Sequence, residues 1–267
     1  MQQTVFIISD STAITAEKLG HSLFTQFPTV EVEYRVHRYI DSQEKAIALA
    51  GIINQQAEQV ARPIVITTLA DDELRKILAD SNCVFIDFFA SYIQTLESAL
   101  GVKAQHVVGH QHAIPAEHIY QRRIDAVNFA LANDDGQTTR DYAQADIILI
   151  GVSRSGKTPV SLYLAMQHGL LVANYPLVEE AFTTDNLAKE LLVNRNKLFA
   201  LTISPQRLQV IRDARQPASR YASLRQCKLE TEHAELLFTR YKIPYLDVTS
   251  LSIEEIATQI VERHRTR

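Results

Sequence analysis

Ile147-Ile148-Leu149-Ile150-Gly151-Val152-Ser153-Arg154-Ser155-Gly156-Lys157-Thr158 joins an apolar run to the pattern G-x-x-x-x-G-K-[ST]. The run at 147–150 predicts a buried strand, and the residues that follow Lys157 have helical periodicity. Strand, glycine turn and helix in that order form the setting in which this pattern holds phosphate. The two glycines let the backbone curl so that successive N–H groups face a diphosphate. Lys157 would supply a mobile positive charge, Thr158 would hold a magnesium ion, and the helix N-terminus would add its dipole. The expected nucleotide contacts are therefore Gly151, Val152, Ser153, Arg154, Ser155, Gly156, Lys157 and Thr158, with Lys157 catalytic. The plainer alternative is a tight glycine turn that merely starts a helix. The pattern does not separate ATP, GTP and ADP, or hydrolysis from transfer.

Working outward, short β-branched runs alternate with helical segments on both sides of this loop. Upstream, strands are predicted at 4–8, 30–37, 64–67 and 84–86. Helices are predicted at 14–27, at a start marked by Asp41 and Glu44 in capping-box spacing, and after Asp71. Downstream, strands are predicted at 170–173, 198–203 and 245–248, a long helical region at 207–241 and a helix at 253–263. Between the halves the pattern loosens at 102–115, a helix spans 117–132, and the polar run Asn133-Asp134-Asp135-Gly136-Gln137 follows. The βαβ rhythm predicts an α/β fold of two lobes with mainly parallel sheets. The lobes are expected at 1–115 and 116–267, the second carrying the P-loop. No internal repeat is visible in the sequence.

Composition narrows the classes of function. The chain has 267 residues, 46% of them apolar and 22% charged, which places it among ordinary globular proteins and away from disordered or low-complexity chains. With 27 basic and 31 acidic side chains the net charge is −4, so neither nucleic acid nor an anionic membrane is an expected partner. Cys83 and Cys227 lie far apart and form no C-x-x-C spacing, which argues against zinc, redox chemistry or disulfide stapling. The N-terminal residues lack a basic leader and no apolar stretch approaches the length of a membrane span, so a cytoplasmic location is expected.

Other residues offer weaker signals. Ser9-Asp10-Ser11-Thr12, with Thr15 and Glu17, follows the first strand, where open α/β sheets bind ligands. The same side chains could simply cap the next helix. Asp87 after Val84-Phe85-Ile86 and Asp247 after Tyr245-Leu246 resemble the metal-coordinating acid of P-loop proteins, a pattern that ordinary strand ends also produce. Arg122 and Arg123, and Arg207, Arg212, Arg215, Arg220 and Arg225, could bind a second phosphate, although most read as solvated helix faces. His106, His110, His112 and His118 lack the arrangement of a metal site.

Several strings together resemble the phosphoenolpyruvate synthase regulatory proteins, a family that includes regulators of pyruvate, phosphate dikinase. They are Ser9-Asp10-Ser11-Thr12-Ala13-Ile14-Thr15-Ala16-Glu17, the loop from Gly151 to Thr158 with Pro159, Ala173-Asn174-Tyr175-Pro176, and Ser219-Arg220-Tyr221-Ala222-Ser223-Leu224-Arg225-Gln226-Cys227. The resemblance spans nearly the whole chain. It implies a bifunctional enzyme in which ADP donates its β-phosphoryl to a threonine of phosphoenolpyruvate synthase, switching that enzyme off. Inorganic phosphate then removes the group and pyrophosphate is released. The dikinase branch usually has glycine where this chain has Ala13, so the resemblance favours the synthase as protein partner. The family often has His-Asp-Asp-Gly where this chain has Asn133-Asp134-Asp135-Gly136, which argues against a catalytic role for position 133. On this reading ADP, phosphate and magnesium meet at the P-loop, Asp10 orients or deprotonates the target threonine, and a homodimer is compatible with the chain. The rival readings are a P-loop kinase or hydrolase acting on a small metabolite, and a nucleotide-sensing module that acts by docking alone.

Overall fold

The structure is a computed structural model that describes residues 2–104, 117–178, 181–182 and 186–265. It divides into two units, Met1–Ala113 and Ile114–Arg267. Each is an α/β layer structure around its own four-stranded parallel sheet.

In the first unit the strands are β1 (Gln2–Ile8), β2 (Glu31–His37), β3 (Ile64–Thr67) and β4 (Val84–Asp87), arranged β2-β1-β3-β4. Helices α1 (Ile14–Phe24), α2 (Gln43–Gln59), α3 (Asp72–Ala79) and α4 (Phe88–Leu100) complete it. Val5, Ile7 and Ile66 pack with Ala16 of α1 on one face. Phe6, Ile8 and Val65 pack with Leu49 and Ile53 of α2 and Leu74 and Leu78 of α3 on the other. Burial on both faces is why β1 reads as an unbroken apolar run without polar alternation. The start of α2 differs from expectation. Its cap is Ser42, whose hydroxyl accepts from the Lys45 N–H, while Asp41 binds the Lys45 ammonium at 2.6 Å. Helix α4 went unpredicted because it has no buried residue and hence no simple core-facing stripe.

The second unit contains α5 (Glu117–Ala132), β5 (Ile147–Val152), α6 (Lys157–His168), β6 (Val172–Leu177), α7 (Lys189–Val193) and β7 (Leu198–Thr202). It continues with α8 (Pro205–Asp213), α9 (Leu224–Arg240), β8 (Tyr245–Asp247) and α10 (Ile253–Arg265). Its sheet order is β6-β5-β7-β8, again all parallel. Every residue of β5 is buried, and Ile148, Leu149 and Ile150 centre a core shared with Val160, Leu164, Leu208, Leu237 and Phe238.

Two expectations need correction here. The region 207–241 is not one helix: a 3-10 turn at Arg220–Ala222 separates α8 from α9. Ser219 and Ser223 accept from the N–H groups of Ala222 and Gln226, so each serine starts a new turn instead of continuing the old one. Strand β6 also starts later and runs further than 170–173 suggests. In the sheet β6 is an edge strand beside β5, so Pro176, which lacks an N–H, is tolerated there.

Candidate functional site

The turn between β5 and α6 lies beyond the carboxyl end of the sheet's first strand, between neighbours β6 and β7. Chain connections leave β5 in opposite directions there, which opens a crevice. Two glycines shape it for different reasons. A Cβ on Gly151 would collide with the Leu201 carbonyl oxygen of β7 and sit 2.8 Å from Ser155 Oγ. At Gly156 there is room for a side chain, but φ of 89° lies in the left-handed region that costs other residues about 1–2 kcal/mol. Gly156 is also the N-cap of α6 and offers no side-chain acceptor, so the first-turn N–H groups of that helix lack the partner a serine or aspartate would supply.

A cavity of about 320 Å³ opens over this turn, with Ser153, Arg154, Gly156, Lys157, Thr158 and Asp135 in its lining. Five of the eight expected contact residues thus meet at one surface. Gly151, Val152 and Ser155 are buried and do not line it, and Ser155 Oγ has no hydrogen-bond partner among the described residues.

Lys157 departs from the exposed, mobile cation that its motif suggests. It is 4% exposed, and its ammonium donates to the Val152 carbonyl at 3.0 Å. Burial pushes its pKa down from 10.5 to about 8, against the pull of Asp135 and Asp134 and with the help of Arg212 and Arg154. The lysine is pre-placed at the foot of the cavity, and a bound anion would restore its proton affinity.

Residues 133–136, polar enough to read as linker, instead form the facing wall. Asn174 of β6, fully buried, holds them. Its Oδ1 accepts from the Asp135 N–H at 2.9 Å, and its backbone pairs with Asn133 and Gly136, each at 3.1 Å. Its Nδ2 donates to Asp134 Oδ1 through a very short contact. The same Asp134 oxygen accepts from the Thr158 hydroxyl at 2.9 Å. Both carboxylates were missed as site residues. The usable signal was an Asp-Asp-Gly turn placed just before the motif strand.

A second support reaches the loop from behind. Arg212, expected on a solvated helix face, is completely buried and pairs with Glu230 at 2.6 Å. It donates to the Ser153 carbonyl at 3.0 Å and to the Tyr221 carbonyl at 3.1 Å, with its guanidinium 4.1 Å from the Tyr221 ring centre. Tyr221 shares a 2.8 Å hydroxyl hydrogen bond with Ser153. The Ser219–Cys227 string is thereby fastened to the phosphate-loop candidate by an arginine and a tyrosine. Arg207, Arg215, Arg220 and Arg225 are exposed, while Arg122 and Arg123 donate to the carbonyls of Gly169 and Gln167, at the opposite end of α6.

The remaining candidates lie elsewhere. Asp10 belongs to the first unit, where its Oδ2 accepts from the Ala70 N–H at 2.9 Å and ties the loop after β1 to the loop after β3. Asp87 caps α4 through the Ala90 N–H and pairs with Arg75 at 3.3 Å. Asp247 accepts from the backbone and hydroxyl of Thr249. Neither aspartate lines the loop cavity. His106, His110 and His112, and the side chain of His118, lie outside the described residues. Among the described residues no group of three or more His, Cys, Asp or Glu side chains is arranged to hold a metal, and no helix is long and apolar enough to cross a membrane. Both cysteines are free and buried.

Residues 5–261 match the family described as kinase/pyrophosphorylase, a span that takes in both sheets and the whole loop. The chain belongs to that family. Among its kinase/pyrophosphorylase relatives, a protein of Chromohalobacter salexigens is 51% identical over 100% of this chain and 98% of its own. One from Halorhodospira halophila is 49% identical over 97% of this chain and 96% of its own, and one from Hahella chejuensis is 46% identical over 99% of each. All three are provisionally named phosphoenolpyruvate synthase regulatory proteins. Among solved structures, a LacI-type transcriptional regulator from Lactobacillus brevis aligns over 92% of this chain and 98% of its own at 10% identity. Its TM-score of 0.23 carries no argument about fold or function.

Proposed function

We propose that this chain regulates phosphoenolpyruvate synthase by adding and removing a phosphoryl group on a threonine of that enzyme. In the inactivating direction the threonine hydroxyl attacks the β-phosphorus of ADP, the bond to the bridging oxygen breaks, and AMP leaves. In the activating direction inorganic phosphate attacks the phosphothreonine, the threonine hydroxyl is released, and pyrophosphate forms. The observation that carries the reading is the cavity over the β5–α6 turn, where Lys157, Arg154 and uncapped helix N–H groups converge.

Phosphoryl transfer asks the protein mainly for placement and charge neutralisation. Lys157 and Arg154 would bear on the diphosphate oxygens, and the first-turn N–H groups of α6 would donate hydrogen bonds to the remaining ones. The donor and the attacking phosphate of the reverse step carry the same kind of oxygens, so one cradle suits both directions. Thr158 and the neighbouring carboxylates are hard oxygen donors that fit magnesium, which when bound would neutralise charge on the phosphates. The relatives' names support the choice of target, and the family description supports both the kinase and the pyrophosphate-forming activity.

The deciding experiment incubates the protein with phosphohistidine-bearing synthase and ADP labelled on the β-phosphate. Label should appear on a threonine of the synthase, and later addition of phosphate should release it as pyrophosphate. Label arriving only from the γ-phosphate of ATP, or only on a small acceptor, would overturn the assignment. Parallel reactions with the dikinase decide between the two targets.

A further inference from the structure

We infer that Asp134, fixed by Asn174 and hydrogen-bonded to Thr158, is the acid that shares a divalent cation with Thr158 when a diphosphate occupies the loop. This inference rests on the proposed reading of the loop as a diphosphate cradle and names the residue that makes it dependent on metal.

The cavity holds a conflict of charge. A cavity suited to a polyanion has Asp135 in its lining, and Asp134 Oδ1 lies 2.9 Å from the hydroxyl of Thr158, another lining residue. Both carboxylates act on Lys157, so their fields reach the foot of the cavity. Fixed negative charge a few ångströms from phosphate oxygens opposes binding strongly at the effective dielectric of a protein surface. The loop cannot easily swing away to relieve it. Fully buried Asn174 grips residues 133–136 through both its amide atoms and its backbone N–H and C=O.

A carboxylate anchored so firmly beside an anion site makes physical sense if a cation sits between the two. Lys157 cannot fill that place, because its ammonium is buried and bonded to the Val152 carbonyl on the strand side of the turn. The Thr158 hydroxyl and the Asp134 carboxylate are adjacent, hard and oxygen-based, the donor chemistry that a small divalent cation prefers. Their mutual hydrogen bond keeps both donors satisfied until the cation replaces it.

Calorimetric titration of ADP into the full chain, with and without magnesium, tests this. Wild-type protein should bind ADP much more tightly with magnesium. Asp134→Asn preserves an oxygen acceptor for Thr158 and Asn174 but removes the charge. It should bind ADP about tenfold more tightly than wild type without metal, and lose most of the gain that magnesium brings. Thr158→Val, which keeps the side-chain shape, should also lose that gain, so the inference stays testable if Asp134→Asn fails to fold. An unchanged magnesium gain in either folded variant overturns the inference. So does a folded Asp134→Asn that binds more weakly in both conditions, since that marks a merely structural acid. In either case the cradle reading stands as long as wild-type protein binds ADP. Wild-type protein that binds no ADP in either condition overturns the cradle itself, and the inference with it.

Discussion

The two units share one plan and differ in what they place at its focal point. Both sheets run second, first, third, fourth strand, and in both the first strand leads through a short turn to an uncapped helix. The residue before each of those helices is left-handed, Ala13 with φ of 63° and Gly156 with φ of 89°. Beyond that the chemistry parts. The loop after β1 holds Ser9, Asp10, Ser11 and Thr12, carries no cation, and spends its carboxylate on the Ala70 N–H. The loop after β5 holds Arg154 and Lys157 between and beside two glycines, with an anchored carboxylate opposite. Topology supplies the crevice in both units; in the second the loop's own side chains bring two cations to it, whereas the cation at the first, Arg38 on the Thr12 carbonyl, comes from the residue that follows β2.

The largest expected effect comes from deleting the charge that separates the two loops. Lys157→Met should lower phosphoryl transfer about a thousandfold, the upper range for losing one donor to the reacting charge. The same variant should be more stable than wild type at pH 7, by up to about 3 kcal/mol, because the folded state no longer holds a buried ammonium. The sign follows from its depressed pKa. Between about pH 8 and 10.5 the unfolded lysine keeps a proton that the folded one has lost, so wild-type stability rises with pH across that window. Denaturant titrations from pH 7 to 10.5 should show this rise in wild type and lose it in the variant. ADP should also bind wild type more weakly as pH climbs past 8, with proton uptake measurable in buffers of different ionisation enthalpy.

A smaller effect is expected from the glycine that lets the second loop approach its sheet. Gly151→Ala drives a methyl group into the Leu201 carbonyl, a backbone obstacle that cannot rotate away. A loss of about 1–3 kcal/mol in stability is expected, with weakened ADP binding, both read by thermal unfolding with and without nucleotide. The smallest change belongs to the first unit. Ala13→Gly relieves a left-handed alanine and should stabilise by about 0.5 kcal/mol, offset in part by the freer unfolded chain. Destabilisation by Ala13→Gly would show that the two turns differ in backbone need as well as in charge.

Local signals made much of this protein legible. The run at 147–150 with the glycine-lysine pattern behind it placed the turn and its helix, because every residue involved lies within one strand–turn–helix unit. The parallel sheets followed from unbroken apolar runs such as 4–8, which only a sheet covered on both faces requires. The facing wall was not legible. Residues 133–136 look like any polar turn, and Asn174 looks like the end of a strand. Their partnership spans 40 positions of chain and exists only after β5 and β6 have paired. Arg212 misled for a related reason. An arginine on an exposed-looking helix is usually solvated, and only the fold brings Glu230 and two carbonyls to meet it.

The sequence by itself determined the α/β class, the parallel sheets and the loop with its lysine, since periodicity and glycine placement act over a few residues. Tertiary structure alone decided that Lys157 is buried, that Asp134 stands at Thr158, and that Arg212 and Tyr221 brace Ser153. Those outcomes depend on desolvation and on hydrogen bonds between distant segments, and neither quantity exists until the sheet has assembled and water has been expelled around it.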